Sequence, residues 1–148
     1  MIIAPAVRIL LQFVRWREKY FWKSVGAIID RPQNVELSLY GEIVDNAIQN
    51  ITSAYPALSL ESYVIMPNHI HLLLRVCADE YGRPLVAPTM SRVIKQLKGF
   101  VSKQTGIGIW QKSFHDHIIR NRQDYEEHLR YIYENPMRWY YDELYAEE

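Results

Sequence analysis

The stretch Tyr63-Val64-Ile65-Met66-Pro67-Asn68-His69-Ile70-His71-Leu72-Leu73-Leu74 decides the fold, because two apolar runs of strand length meet there at a Pro-Asn turn signal. Leu58 to Met66 reads as one strand and His69 to Cys77 as the next, paired antiparallel. Side chains of a strand alternate between faces, so Ile70, Leu72, Leu74 and Val76 share one side while Leu73 joins His69 and His71 on the other. A strand that is apolar on both sides belongs inside a sheet rather than at its edge. Two imidazoles on one side of such a strand can converge on one metal ion. Taken alone, the same pair is equally a hydrogen-bonded couple of core histidines.

Outward from this pair, the pattern is that of a mixed protein of one domain. Upstream, Ile43, Val44, Ala47, Ile48 and Ile51 mark an amphipathic helix from Tyr40 to about Ala54, closed by Tyr55-Pro56. Downstream, Ala78 to Pro88 reads as a loop, and Thr89 opens a helix to about Gln104 whose apolar stripe is Val93, Leu97, Phe100 and Val101. Gly106 and Gly108 end it. Ser113 to Arg120 reads as a short strand. Asp124 is expected to start a last helix, with Glu127 as the second half of a capping box, and Pro136 is expected to stop that helix at or just before Asn135. Val7 to Phe21 stays open: Val7, Ile9, Leu11 and Phe13 alternate as in a strand, whereas Ile9, Phe13, Trp16 and Tyr20 recur at helical spacing.

Composition bounds the function without naming it. The 148 residues are 49% hydrophobic, enough for one good core. Lys plus Arg equals Asp plus Glu at 17 each, so net charge points to no polyanionic partner, and any such signal must be local. The helix after Thr89 carries one, since Arg92, Lys95, Lys98 and Lys103 occur there without an acidic residue. Such a stripe is either a solvated face or a track for phosphates. Cys77 is the single cysteine, which excludes an internal disulfide and fits a reducing cytoplasm. Met1 to Val14 is apolar but interrupted by Arg8 with no basic region before it, unlike a signal sequence. No run approaches the roughly 18 apolar residues of a membrane span.

Tyr131 and Asn135 lie four residues apart, hence on one helical face, and both can look toward a metal site. A tyrosine serves as a covalent nucleophile when a cation neutralises its target, and a phosphodiester is such a target.

Three blocks occur in order: Met66-Pro67-Asn68-His69-Ile70-His71-Leu72-Leu73, then Ile109-Trp110-Gln111-Lys112-Ser113-Phe114-His115-Asp116-His117-Ile118-Ile119-Arg120, then Asp124-Tyr125 with Tyr131-Ile132-Tyr133-Glu134-Asn135-Pro136. Together they resemble the REP-associated tyrosine transposases, which are single-tyrosine HUH transposases, over about Leu37 to Trp139. The resemblance implies an α+β, ferredoxin-like antiparallel sheet with helices packed on one face. It implies cleavage and rejoining of single-stranded DNA at hairpin elements through a 5′-phosphotyrosine, without ATP. By the same resemblance Tyr131 is the nucleophile, and His69, His71 and Asn135 hold a divalent ion, magnesium or manganese. Imidazole suits manganese, zinc or iron better than magnesium.

The register of the third block selects Tyr131 over Tyr133. The two are separated by about 200° around a helix, so only Tyr131 shares the face of Asn135. Candidate DNA contacts are Arg92, Lys95, Lys98 and Arg120, the last in the second block with His117, which is expected near the site or the DNA without binding metal. Trp110, Phe114 and Trp139 are either stacking platforms for unpaired bases or core residues. The implied partner is a single-stranded DNA hairpin, met by a monomer or homodimer with no membrane contact.

One departure stands out. Residues 1-24 do not resemble the aromatic, Val- and Thr-rich first strand of such proteins. Either another sequence fills that sheet position or the strand is lost, which would leave an edge beside the histidine strand. Two other functions therefore accompany the transposase reading. One is a non-catalytic or domesticated hairpin-binding protein; the other is a zinc hydrolase unrelated to DNA.

Overall fold

A computed structural model describes residues 8–14, 37–67, 69–78, 81, 89–111 and 114–146, with the backbone alone described at 8–14 and 135–146. In chain order the elements are β1 (Arg8–Val14), α1 (Leu39–Gln49), α2 (Ile51–Ala54), β2 (Leu58–Ile65), β3 (His69–Val76), α3 (Met90–Thr105), β4 (His115–Ile119) and α4 (Arg122–Ala146).

The four strands form one sheet in the order β2-β3-β1-β4, and every neighbouring pair is antiparallel. β1 therefore runs parallel to β2 with β3 between them, and β3 runs parallel to β4 with β1 between them. These are two interleaved split βαβ units, the ferredoxin-like arrangement. Crossovers of this kind are right-handed, which sends α1 and α3 to the same face of the sheet. The expected strand β3 is central, as its two apolar faces require.

Between that face and the helices lies the main core. Val44, Ala47, Ile48 and Ile51 from α1 and α2 and Val93, Ile94, Leu97 and Val101 from α3 pack on Ile70, Leu72, Leu74 and Val76. The helix ends follow from local chemistry. Ser38 caps α1 by accepting from the Gly41 N–H at 3.1 Å, and Thr89 caps α3 by accepting from the Arg92 N–H at 3.3 Å. Gly106 closes α3 at φ 74°, a left-handed conformation that costs glycine nothing. The turn joining β2 to β3 is tight, with the Met66 N–H bonded to the His69 carbonyl at 2.8 Å. Register shifts between Leu60 and Ser62, where Glu61 is the extra residue of a bulge.

The open segment Val7 to Phe21 is resolved in favour of a strand at Arg8–Val14, while residues 15–21 lie outside the described residues. Leu10 is register partner to both Leu73 of β3 and His117 of β4. The sheet position beside the histidine strand is thus filled despite the atypical sequence.

The last helix differs from expectation at both ends. It starts at Arg122, because Asn121 rather than Asp124 is the cap: Asn121 Oδ1 accepts from the Asp124 N–H at 2.8 Å. Glu127 is not half of a capping box; its carboxylate accepts from Gln123 Nε2 at 3.2 Å. Pro136 does not end the helix, which continues to Ala146. A proline inside a helix removes one hydrogen bond, here the one to the Ile132 carbonyl, and the remaining ladder on either side carries the helix past it. α4 packs on the sheet face opposite α1 and α3, where Ile132 meets Leu73 and Ile119, with Val64, Tyr125 and Leu129 around them.

Leu72 is fully buried in the main core, so Leu72→Ala is expected to destabilise the fold by about 2–5 kcal/mol. Denaturant unfolding measures this as a lower midpoint at unchanged slope.

Candidate functional site

Strand alternation brings His69 and His71 to the α4 side of β3, and the two rings meet edge to face with centroids 4.8 Å apart. Their Nε2 atoms are 3.0 Å apart. At that distance one nitrogen carries the proton that the other accepts. His71 is 1% exposed, and its Nδ1 is buried without a hydrogen-bond partner. Burial, then the neighbouring His69, then His128 oppose a charge there and push its pKa down to about 3. His71 is therefore a neutral imidazole at physiological pH, the form that binds metals.

The pair fits a divalent ion. Two nitrogens about 2.1 Å from one ion and 3.0 Å from each other subtend about 90° at it, the angle between neighbouring octahedral positions. A cation would replace the shared proton without moving either ring far.

From the opposite side, α4 lays Tyr131 on the pair. Its ring meets that of His71 edge to face, with centroids 5.0 Å apart. Ile132, the next residue, is buried against Leu73 and Ile119 and holds this turn of the helix to the sheet. Tyr133 faces away, 73% exposed against 38% for Tyr131. Asn135 lies one turn farther along the α4 backbone; its side chain, like that of Trp139, is outside the described residues.

The basic residues are dispersed. Arg92 and Lys95 are exposed on α3, and the sheet separates that helix from the histidine pair. Lys98 is half-buried, its Nζ donating to the Gln111 carbonyl at 2.6 Å, and burial pushes its pKa down. Arg120 is exposed beyond β4, on the approach to α4, and its backbone N–H reaches Asp124 Oδ2 at 3.4 Å. Trp110 and Phe114 are partly buried against the main core, which makes packing their role.

Sequence reading missed His128. It stands four residues after Asp124 and three before Tyr131, on the face of α4 that meets the sheet. Its Nδ1 lies 2.9 Å from Asp124 Oδ1, and its ring stacks on His117 with centroids 4.8 Å apart. His117 Nε2 lies 2.8 Å from Asp124 Oδ2. The i, i+4 spacing was the available signal; it was hidden by taking Asp124 for the helix cap.

Fold and site together define an α+β protein with a histidine pair on a central strand and a tyrosine packed over it from a helix. No protein-family model matches the chain. A Haemophilus influenzae protein described as uncharacterized is 28% identical over 141 residues, covering 82% of this chain and 77% of that protein. A second protein of that bacterium, provisionally named a REP-associated tyrosine transposase, is 32% identical over 88 residues, 54% of this chain and 50% of its own length. The REP-associated tyrosine transposase of Escherichia coli K12 is 30% identical over 80 residues, 53% of this chain and 44% of its own length. The chain thus matches about half of each named relative or less.

Among solved structures, a REP-associated tyrosine transposase bound to a REP hairpin superposes with a TM-score of 0.63 at 22% identity, covering 90% of this chain and 67% of the other. A Deinococcus radiodurans protein described provisionally as a transposase gives 0.50 at 15% identity, covering 90% and 92%. These likenesses concern the fold. The chain is similar in sequence and fold to REP-associated tyrosine transposases. No described helix is long and apolar enough to cross a membrane.

The His71 shift has a sign that unfolding can test. An unfolded histidine titrates near 6.5 and His71 in the fold near 3, so its contribution is complete above pH 6.5 and is lost as pH falls toward 3. Wild-type stability is expected to drop more steeply from pH 6.5 to 4 than that of His71→Leu, measured by denaturant midpoints across pH.

Proposed function

We propose that this chain is a metal-dependent transposase that cleaves and rejoins single-stranded DNA at hairpin elements, with Tyr131 as nucleophile. The observation carrying this reading is the edge-to-face contact of Tyr131 with His71, whose Nε2 converges on that of His69. A tyrosine and a potential cation site thereby occupy one spot on one sheet face. The sequence similarity to named transposases and the fold shared with a hairpin-bound one support the substrate class.

In the proposed reaction the Tyr131 phenolic oxygen attacks a backbone phosphorus. The bond from phosphorus to the 3′ oxygen breaks, the phenol gives up its proton, and the departing 3′ oxygen takes one up. DNA is left with a free 3′-hydroxyl and a 5′ phosphate esterified to Tyr131, and attack by another 3′-hydroxyl reverses the step to rejoin strands. His69, His71 and Asn135 would hold a magnesium or manganese ion, which supplies neutralisation of phosphate charge when bound. Ile132 keeps the nucleophile at the sheet. Arg120, exposed on the α4 side, would meet the backbone there, while contacts from Arg92 and Lys95 would require DNA to pass round the sheet.

A non-catalytic hairpin binder was the main alternative because of the atypical amino terminus. β1 fills the sheet beside β3, which removes that reason.

Tyr131→Phe is expected to reduce covalent attachment to labelled hairpin DNA by on the order of 10³-fold or more and to leave hairpin binding intact. Denaturing gels read the adduct and native gels the binding. An undiminished adduct in the variant would overturn the nucleophile, and binding without any adduct in the wild type under magnesium or manganese would favour the binder.

A further inference from the structure

We propose that His117, Asp124 and His128 form a second cation site, separate from the His69–His71 pair and suited to a transition-metal ion such as zinc. The three ligands come from two elements: His117 from β4, and Asp124 with His128 from successive turns of α4. One ligand atom of each lies within 4.8 Å of the others.

The three side chains are already held together by short contacts that one ion could bridge. His117 Nε2 is 2.8 Å from one Asp124 carboxylate oxygen, and His128 Nδ1 is 2.9 Å from the other. His128 Nδ1 also lies 2.8 Å from the Asp124 main-chain carbonyl. Neighbouring ligands held about 2.1 Å from an ion are about 3 Å apart, so the two imidazole–carboxylate separations match edges of a polyhedron around one ion. The widest pair, up to 4.8 Å apart, has to close by roughly 1.5–2 Å, which takes a rotation of His117, whose side chain is 48% exposed.

Charge favours the same occupant. With both imidazoles neutral, one carboxylate serves two N–H donors and the cluster carries a net negative charge. Protonating both stacked rings would instead place two like charges against each other. A divalent cation takes the place of the two donated protons, each of which shifts to the other nitrogen of its ring, and the carboxylate offsets half of the ion's charge while water ligands complete the shell. Two nitrogens and one oxygen suit zinc, iron or nickel, whereas magnesium and calcium prefer all-oxygen shells. The open side of His117 leaves room for water ligands. Such an ion would tie β4 to the first turns of α4, one turn before Tyr131, whatever reaction Tyr131 performs.

Zinc titration by calorimetry and thermal unfolding tests this on wild type, His117→Ala, His128→Gln and His69→Ala, with circular dichroism checking that each variant folds. His117→Ala and His128→Gln are expected to lose one zinc equivalent that His69→Ala keeps. With it goes a rise in Tm of about 5–10 °C at a hundredfold excess over Kd. The site is overturned if His117→Ala titrates like wild type, if wild type binds no zinc, or if zinc is lost only in His69→Ala. These readouts need no DNA, so failure here is distinct from failure of the transposase reading.

Discussion

The contacts on both faces of the sheet depend on β3 being buried between them. Ile70, Leu72, Leu74 and Val76 hold α1 and α3 on one side, while His69, His71 and Leu73 meet α4 on the other. A slip of one residue in register would exchange these two sets, sending the imidazoles into the main core. The aliphatic side therefore does more than stabilise. By fixing which residues point inward, it fixes which residues point at Tyr131.

The opposite face shows how little apolar surface is needed to place Tyr131 beside the histidine pair. Leu73, Ile119 and Ile132 make a small second cluster, and polar contacts carry the rest of the docking through Asp124, His117 and His128. The carboxylate stays ionised to lower pH than usual, chiefly through its bond to His117. Strand and helix are thus joined by a carboxylate shared between two imidazoles, next to a histidine that burial keeps neutral.

The β2–β3 hairpin, the helices around it and the histidine pair were legible because period and turn chemistry agree there. The meeting of Tyr131 with the histidine pair follows from the helical spacing of the last helix. Other parts were not legible, for specific reasons. Residues 8–14 satisfy both helical and strand periodicities, and only pairing on both sides decides between them. Pro136 is a helix breaker by local rule, yet α4 passes through it. Asp124 is a good capping residue, but Asn121 takes that role and leaves its carboxylate for two histidines. Arg92 and Lys95 form a stripe in sequence, while nothing in the helix pattern says that the sheet stands between them and His71.

The place of β1 has a consequence for how the chain assembles. β1 is an inner strand, and its partners, β3 and β4, lie far along the sequence. Pairings of such high contact order close late and slowly. β2, β3, α1 and α3 can associate while β1 waits, but β4 has β1 as its sheet neighbour and cannot dock before it. The face that receives α4 is complete only when β1 has joined β3 to β4, so the place of Tyr131 depends on segments that lie far apart in sequence.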